Sequence, residues 1–509
     1  MVNKSRILLF SPNIRGIEGG VNRIQPPLGL GYLAAVLEKE GHDVYVRDTA
    51  LEGYHHSESS GEKGIVIVGE SDTDIAKYIS EINPDIVGIS VLFSNLVQGS
   101  HALARITKEV KRDLPVIVGG NYITNSVSDY LYANDPRNQE SNLEKELAFM
   151  DNQNIDFAMV GESELRFAHL IDCLLTGGDY SLIPGLVHRE NSSSEAGKIV
   201  INPLSGETLN LQDLPSPARH LMNMEGYFNV GLFHNADTER KRVLNVMASR
   251  GCPERCTYCT TPVTWGRKVR WRSPQEIVAE IKDAIENHGI QEVQFEDDTL
   301  TSDLSKLNEL CDLMKPLNIP WCPPNGIRVD YHQGKHQELF EKMADSGCYQ
   351  VTLACESGVQ KTLDQANKRL DLELIPQTIR TAIDAGLYTH TFWMVGFPGE
   401  TREEREETIK FAASCGADSY SVAIVNPLPG TELYRQVTKE NLWWDGEVKK
   451  SGTFRNSHIT VDGFKSAGEF ECWVEKQNFD LNHLLLKRDP IRAKAMYGER
   501  IGFVGIKQT

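Results

Sequence analysis

A chain of 509 residues with 71 acidic and 53 basic side chains has a formal charge of −18, so its average surface repels a phosphate backbone and nucleic acid is not expected as a partner. No run of about 18 apolar residues occurs, which excludes a membrane span, and the polar turn after the apolar run of "MVNKSRILLFSPN" fits a first strand rather than a signal peptide. The chain reads as cytoplasmic, where its ten cysteines argue against a disulfide framework, and its length predicts two or three domains.

Residues 1–185 alternate short apolar strands with helix-length segments. The strands are "RILLFSP", "HDVYVRDT", "DIVGISVLF", "PVIVGGN" and "IDFAMVG", and runs such as "LGYLAAVLEKEG" and "DIAKYISEINP" supply helices. Strands apolar nearly throughout predict a parallel sheet covered on both faces, a doubly wound, Rossmann-like α/β domain whose ligands sit at the carboxyl ends of the strands. His55 and His56 are adjacent on the polar loop "GYHHSESSG" and read as solvated, because neighbours on a loop rarely converge on one ion. Residues 186–240 lose the rhythm, with the Ser-rich "ENSSSEAGK" and the Pro-punctuated "LPSPARH", and predict a linker. The "NSS" at Asn191 has the form of a glycosylation acceptor, which a cytoplasmic chain would not use.

From 241 to 442 the alternation returns in six units, with candidate strands "VLNVMAS", "EVQFEDD", "IPWCPP", "YQVTLACES", "YTHTFWMVG" and "SYSVAIVNP". Six βα units predict a partial (β/α)6 barrel with its site at the carboxyl ends of the strands. Ser273, Pro274 and Glu276 predict the start of the first barrel helix through a capping box. Cys173, Cys311 and Cys415 fall in helical patterns and read as small apolar groups; Cys322 and Cys355, near strand ends, read as packing, with hydrogen-atom donation as the competing role. Residues 443–509, rich in Trp and charge, predict a small accessory region or lid.

The stretch "SRGCPERCTYCTTP" sets Cys252, Cys256 and Cys259 within eight positions. A structural zinc site would want four ligands, usually in two separated pairs, and no second pair stands at zinc spacing. A dithiol redox motif leaves Cys252 without a role. Thiolates are preferred ligands of iron–sulfur clusters, and three of them on a four-iron cube leave one iron open to chelate a substrate or cosubstrate.

"CPERCTYC", with C-x3-C-x2-C spacing and an aromatic before the last cysteine, follows the first barrel strand and resembles the cluster loop of the radical S-adenosylmethionine (SAM) enzymes. The resemblance implies that Cys252, Cys256 and Cys259 hold a [4Fe-4S] cluster, that its open iron binds SAM, and that Tyr258 lies near the adenine. "FEDDTLT" places Glu296, Asp297 and Asp298 where many members have a Gly-Gly-Glu that receives the SAM amino group; the sequence departs from that pattern, and Asp298 is the candidate contact. The competing reading for Asp297 and Asp298 is a solvated turn with a helix cap. Glu356 and Ser357 in "ACESG" resemble the pair that meets the ribose hydroxyls, and Gly396 in "MVGFPGET" would let backbone approach adenine. Arg328, after the third strand, is a candidate ligand for an anion, with surface placement as the alternative.

Joined to such a barrel, the first domain resembles the cobalamin-binding domain of the cobalamin-dependent radical SAM methylases. The matching turns are Phe93, Ser94 and Asn95; Gly119 and Gly120; and Gly161 and Glu162, whose glycines permit close approach to a bulky ligand. The loop after the first strand, "SPNIRGIEGG", contains no histidine, so the lower face of cobalamin would have no imidazole from it. The resemblance implies a 5′-deoxyadenosyl radical that abstracts hydrogen from an unactivated sp3 carbon, with the methyl group delivered through methylcobalamin to a small phosphonate or nucleotidylated metabolite. A flavodoxin-type or other one-electron donor is implied as a partner. Ring contraction or cyclisation without methyl transfer, and a cobalamin sensor with a degenerate barrel, are the alternatives.

Overall fold

The computed structural model describes residues 4–497, apart from 21, 63, 128–147, 191–196, 205–207, 232, 236–237, 239 and 447–454. The chain divides into two compact units, Met1–Phe233 with Val263–Trp265, and His234–Pro262 with Gly266–Thr509.

All five strands expected in the first unit form, as Arg6–Ser11, Asp43–Asp48, Ile86–Ser90, Val116–Gly119 and Phe157–Met159, and they pair in parallel. Alternate residues serve opposite faces: Leu8 and Phe10 enter one core with Val87 and Val118, while Ile7 and Leu9 enter the other with Ile86 and Ile117. The strand Asp43–Asp48 lies on one side of Arg6–Ser11 and Ile86–Ser90 on the other, so the order reverses at the first strand and opens a crevice at the carboxyl ends there.

The span expected to be a linker does more than connect. Leu186–Arg189 and Ile199–Ile201 extend the sheet antiparallel, and the Tyr227 hydroxyl, on the helix Met224–Val230, donates 2.8 Å to Asp48. The first unit therefore runs to Phe233, because these residues complete its sheet and its core. Asn191 lies outside the described residues. The loop after the first strand also carries structure: Ile14–Ile17 pairs with Ile65–Val68, which pairs with Ser57–Ser59. His55 and His56, beside that small sheet, are exposed.

In the second unit the expected six strands form two parallel triplets, Val243–Val246 with Glu292–Phe295 and Trp321–Cys322, and Gln350–Glu356 with Tyr388–Val395 and Ser419–Ile424. Isolated parallel bridges, Trp321 with Cys348 and Ile327 with Leu353, join the triplets into a partial barrel. Ser273 accepts from the Glu276 N–H at 3.2 Å to cap the first barrel helix, whereas the reciprocal capping box occurs at Thr401 and Glu404.

A barrel of six strands leaves an edge, and an unpaired edge is a liability. The C-terminal helix Ala467–Arg488 covers it. Asn478 accepts from Val422 N–H at 2.7 Å and donates to Val422 C=O at 2.8 Å; Asn482 repeats the pattern at Tyr420, at 2.9 and 2.8 Å. The two amides act as a substitute strand, so this region is part of the barrel unit rather than a separate lid.

Candidate active site

The cluster loop is held from several sides within the barrel unit. Thr257 N–H donates to Ala366 C=O at 3.0 Å, Leu433 N–H donates to Thr257 C=O at 2.9 Å, and the Asn367 side chain donates to Arg255 C=O at 2.9 Å. Tyr258 stands edge-on to Phe397 with ring centres 5.9 Å apart, which ties the loop to the turn after the fifth strand. Burial pushes Cys252 up to about 11 and Cys259 up to about 12. Cys256 is also raised by burial, opposed by the nearby positive charges of Lys368 and Arg328.

These thiols fit a cluster better than a single ion. Among the described residues no three Cys, His, Asp or Glu side chains converge on one metal position. A cube binds each thiolate at a different iron, so its ligands stand apart. Buried thiolates also need positive neighbours, which Lys368 and Arg328 supply; loading must displace the thiol protons.

Glu356 ends the fourth strand at a register shift, with a left-handed backbone at φ 67°. Its carboxylate accepts from Lys368 Nζ at 2.8 Å, and both groups are buried. A non-glycine residue held there is strained, and such residues cluster at functional sites. Ser357, the other residue expected at the ribose, is buried; its hydroxyl accepts from Val359 N–H at 3.1 Å and lies 3.2 Å from the Thr408 hydroxyl.

The solvated-turn reading of the acidic pair is corrected. Asp297 is buried, accepting from Ala248 N–H at 3.0 Å, from Ser249 N–H, and from the Ser249 hydroxyl at 2.5 Å, so it welds the ends of the first two strands together. Burial raises it to about 7. Asp298 is half-buried, accepts from the Thr261 hydroxyl at 2.9 Å, and is raised by burial to about 6.

Arg328 is buried, not on the surface. Its guanidinium meets Asp330 at 2.8 and 2.7 Å and Glu254 at 3.3 Å, an ion-pair network that holds it in place near Cys256. Gly396 has φ 92°, and a Cβ there would sit 2.9 Å from the Phe470 ring, so packing also demands glycine. Glu400 accepts from the N–H groups of Gly396 and Phe397 at 2.6 and 3.2 Å and fixes this turn. Cys355 and Cys322 are fully buried, Cys322 among Asn235 and Tyr349, and both pack.

In the first unit the expected turns line the carboxyl end of the sheet. Leu92 and Phe93 are 39% and 62% exposed, an apolar pair beside the crevice, and Asn95 Oδ1 is buried with no protein partner among the described residues. A corrin has an apolar face and a rim of amides, which suits this combination. Ser94 opens the single turn Ser94–Leu96 beside them. Gly120 has φ 106°, and a Cβ there would stand 2.6 Å from Val91 C=O. Gly119 ends its strand; Gly161, at φ 71°, donates its N–H to the Thr124 hydroxyl at 2.9 Å, with Glu162 following.

Lys368 and Glu400 did not stand out in the sequence, since each acquires its role from a partner brought close by the fold.

Residues 246–412 match the radical SAM superfamily and residues 16–137 the B12 binding domain family, and the chain belongs to the cobalamin-dependent radical SAM methyltransferases. It is 32% identical over 511 residues to the cytidylyl-2-hydroxyethylphosphonate methyltransferase of Streptomyces wedmorensis, covering 94% of this chain and 90% of that relative. An uncharacterised methyltransferase of Pyrococcus horikoshii is 29% identical over 86% of this chain and 83% of its own. Among solved structures, the cobalamin-dependent SAM radical enzyme OxsB with aqua-cobalamin and SAM bound aligns with a TM-score of 0.69 at 16% identity, covering 99% of this chain and 70% of that one. SAM, a [4Fe-4S] cluster and cobalamin are the cofactors. Among the described residues no helix is long and apolar enough to cross a membrane.

Proposed function

We propose that this methyltransferase acts on an sp3 carbon of a small hydroxyalkylphosphonate carried as its cytidylyl ester, in the cytoplasm, with a flavodoxin-type protein as one-electron donor. The observation that carries the substrate reading is the 32% identity to a methyltransferase named for that ester, extending over 94% of this chain.

An unactivated C–H bond offers no acidic proton to a general base, so the bound cofactors supply radical cleavage of SAM and methyl transfer. The chain's own work is positioning. Cys252, Cys256 and Cys259 would hold the cluster, Tyr258 and the Gly396 turn would flank the adenine, and Glu356, pinned by Lys368, would take the ribose hydroxyls. Asp298 would receive the SAM amino group. Phe93, Ser94, Asn95, Gly119, Gly120, Gly161 and Glu162 would line the corrinoid site.

The test is anaerobic reconstitution with iron, sulfide, cobalamin and SAM, followed by reduction in the presence of cytidylyl 2-hydroxyethylphosphonate. The expected product is heavier by one methylene, accompanied by S-adenosylhomocysteine and 5′-deoxyadenosine. A product of unchanged carbon count would favour ring contraction or cyclisation, and no product at all would reject this ester as substrate.

A further inference from the structure

His234, Asn235 and Thr238, which begin the barrel unit, stand beside the second strand, Glu292–Phe295. Val293 and Phe295 are buried on one side of that strand, with Phe295 edge-on to Trp321, so Glu292, Gln294 and Glu296 share the other side. Three residues of the entering segment meet these three in turn. Thr238 donates to Glu292, Asn235 N–H donates to Gln294 Oε1 at 2.9 Å, and His234 Nδ1 lies 2.7 Å from Glu296 Oε2 at the carboxyl end of the strand. The Asn235 side chain also donates to the Tyr349 hydroxyl at 2.8 Å, which in turn donates to Glu292 at 2.8 Å.

Glu296 is held on every side but one. Its N–H donates to Val246 C=O at 2.7 Å, its C=O accepts from the Asn325 side chain at 2.8 Å, and Oε2 is occupied by His234. The residue is 9% exposed, and Oε1 is buried with no protein partner among the described residues. A buried acceptor without a partner is costly, and at the carboxyl end of a barrel strand a ligand hydroxyl can satisfy it. The His234 imidazole already occupies the other carboxylate oxygen, so a single hydroxyl suffices as the remaining donor.

We propose that Glu296, oriented by His234, accepts a hydrogen bond from the hydroxyl of the substrate and makes the enzyme specific for hydroxylated over deoxy substrates. The inference rests on the hydroxyalkylphosphonate reading above. His234 is the positioning residue of the pair, because it acts through Glu296.

The experiment is equilibrium dialysis of the reconstituted holoenzyme, under anaerobic conditions, with cytidylyl 2-hydroxyethylphosphonate and with cytidylyl ethylphosphonate, which lacks the hydroxyl. Binding of SAM is measured in parallel. The wild type should bind the hydroxylated ester about 100-fold more tightly, since a site built around a hydroxyl leaves its buried acceptor unpaired with the deoxy analogue. Glu296→Leu should bind both esters equally, and the near-isosteric Glu296→Gln should retain part of the preference. His234→Gln should weaken the hydroxylated ester by roughly 10-fold and leave the deoxy ester unchanged. SAM affinity should not move in any variant. Equal binding of the two esters by the wild type overturns the inference and leaves the substrate reading intact. Loss of SAM affinity in Glu296→Gln also overturns it, assigning Glu296 to the cosubstrate. Binding of neither ester by the wild type rejects the substrate reading and this inference with it.

Discussion

Lys368 Nζ lies 2.8 Å from Glu356 Oε1, and the ion pair is buried beside the cluster loop on a carboxylate whose backbone is left-handed at φ 67°. Each partner makes the other tolerable: the ammonium offsets a buried negative charge, and the carboxylate offsets a buried positive one. Removing one side of such a pair costs about 3–5 kcal/mol. Lys368→Met is expected to lower the urea stability by that order, while Lys368→Arg retains most of it. Equal stability of Lys368→Met and wild type would mean that water or another cation already satisfies Glu356.

Burial raises the Glu400 carboxyl from its ordinary range to about 7, although the N–H groups of Gly396 and Phe397 favour its charged form. A folded-state pKa above the unfolded one means that the native chain holds the extra proton. This contribution is fully present below about 4.5 and is lost as pH rises through about 7. Between pH 5 and pH 8 the urea midpoint of the wild type should therefore fall more steeply than that of Glu400→Gln, which stays neutral throughout. Parallel pH profiles would show that Glu400 does not titrate in this range.

Asn478 and Asn482 bond both backbone groups of Val422 and Tyr420 on the last barrel strand. Alanine at either position should cost about 1–3 kcal/mol by leaving strand groups unpaired. The double variant should also self-associate through the exposed edge, seen as larger species in size-exclusion chromatography. A monodisperse double variant with wild-type stability would show that the edge needs no such cover.

Cys256→Ala should abolish the brown absorption of the reconstituted cluster and preserve cobalamin absorption, because the turns proposed for the corrinoid belong to the other unit. Retention of full iron content in this variant would remove Cys256 from the ligand set.

Gly120 combines φ 106° with a Cβ position 2.6 Å from Val91 C=O. Gly120→Ala should weaken cobalamin retention, read by gel filtration and absorbance, and leave cluster absorption in place. Unchanged retention would separate this turn from the corrinoid site.

The sequence by itself determined the five parallel strands of the first unit, the six strands of the barrel and the cluster loop. Arg6–Ser11 and Ile86–Ser90 are legible because burial of both faces imposes a nearly continuous apolar run, the barrel strands because short β-rich runs recur between helix-length segments, and Cys252, Cys256 and Cys259 because a short loop encodes their spacing locally. The tertiary structure alone decided that residues 186–233 complete the first unit, through contacts such as Tyr227 with Asp48, and that Asn478 and Asn482 close the barrel edge. It also decided the pairing of Lys368 with Glu356 and of His234 with Glu296. Hydrophobic periodicity is a property of neighbouring residues, whereas the partner of a polar side chain is chosen by whichever distant segment the fold brings within about 3 Å.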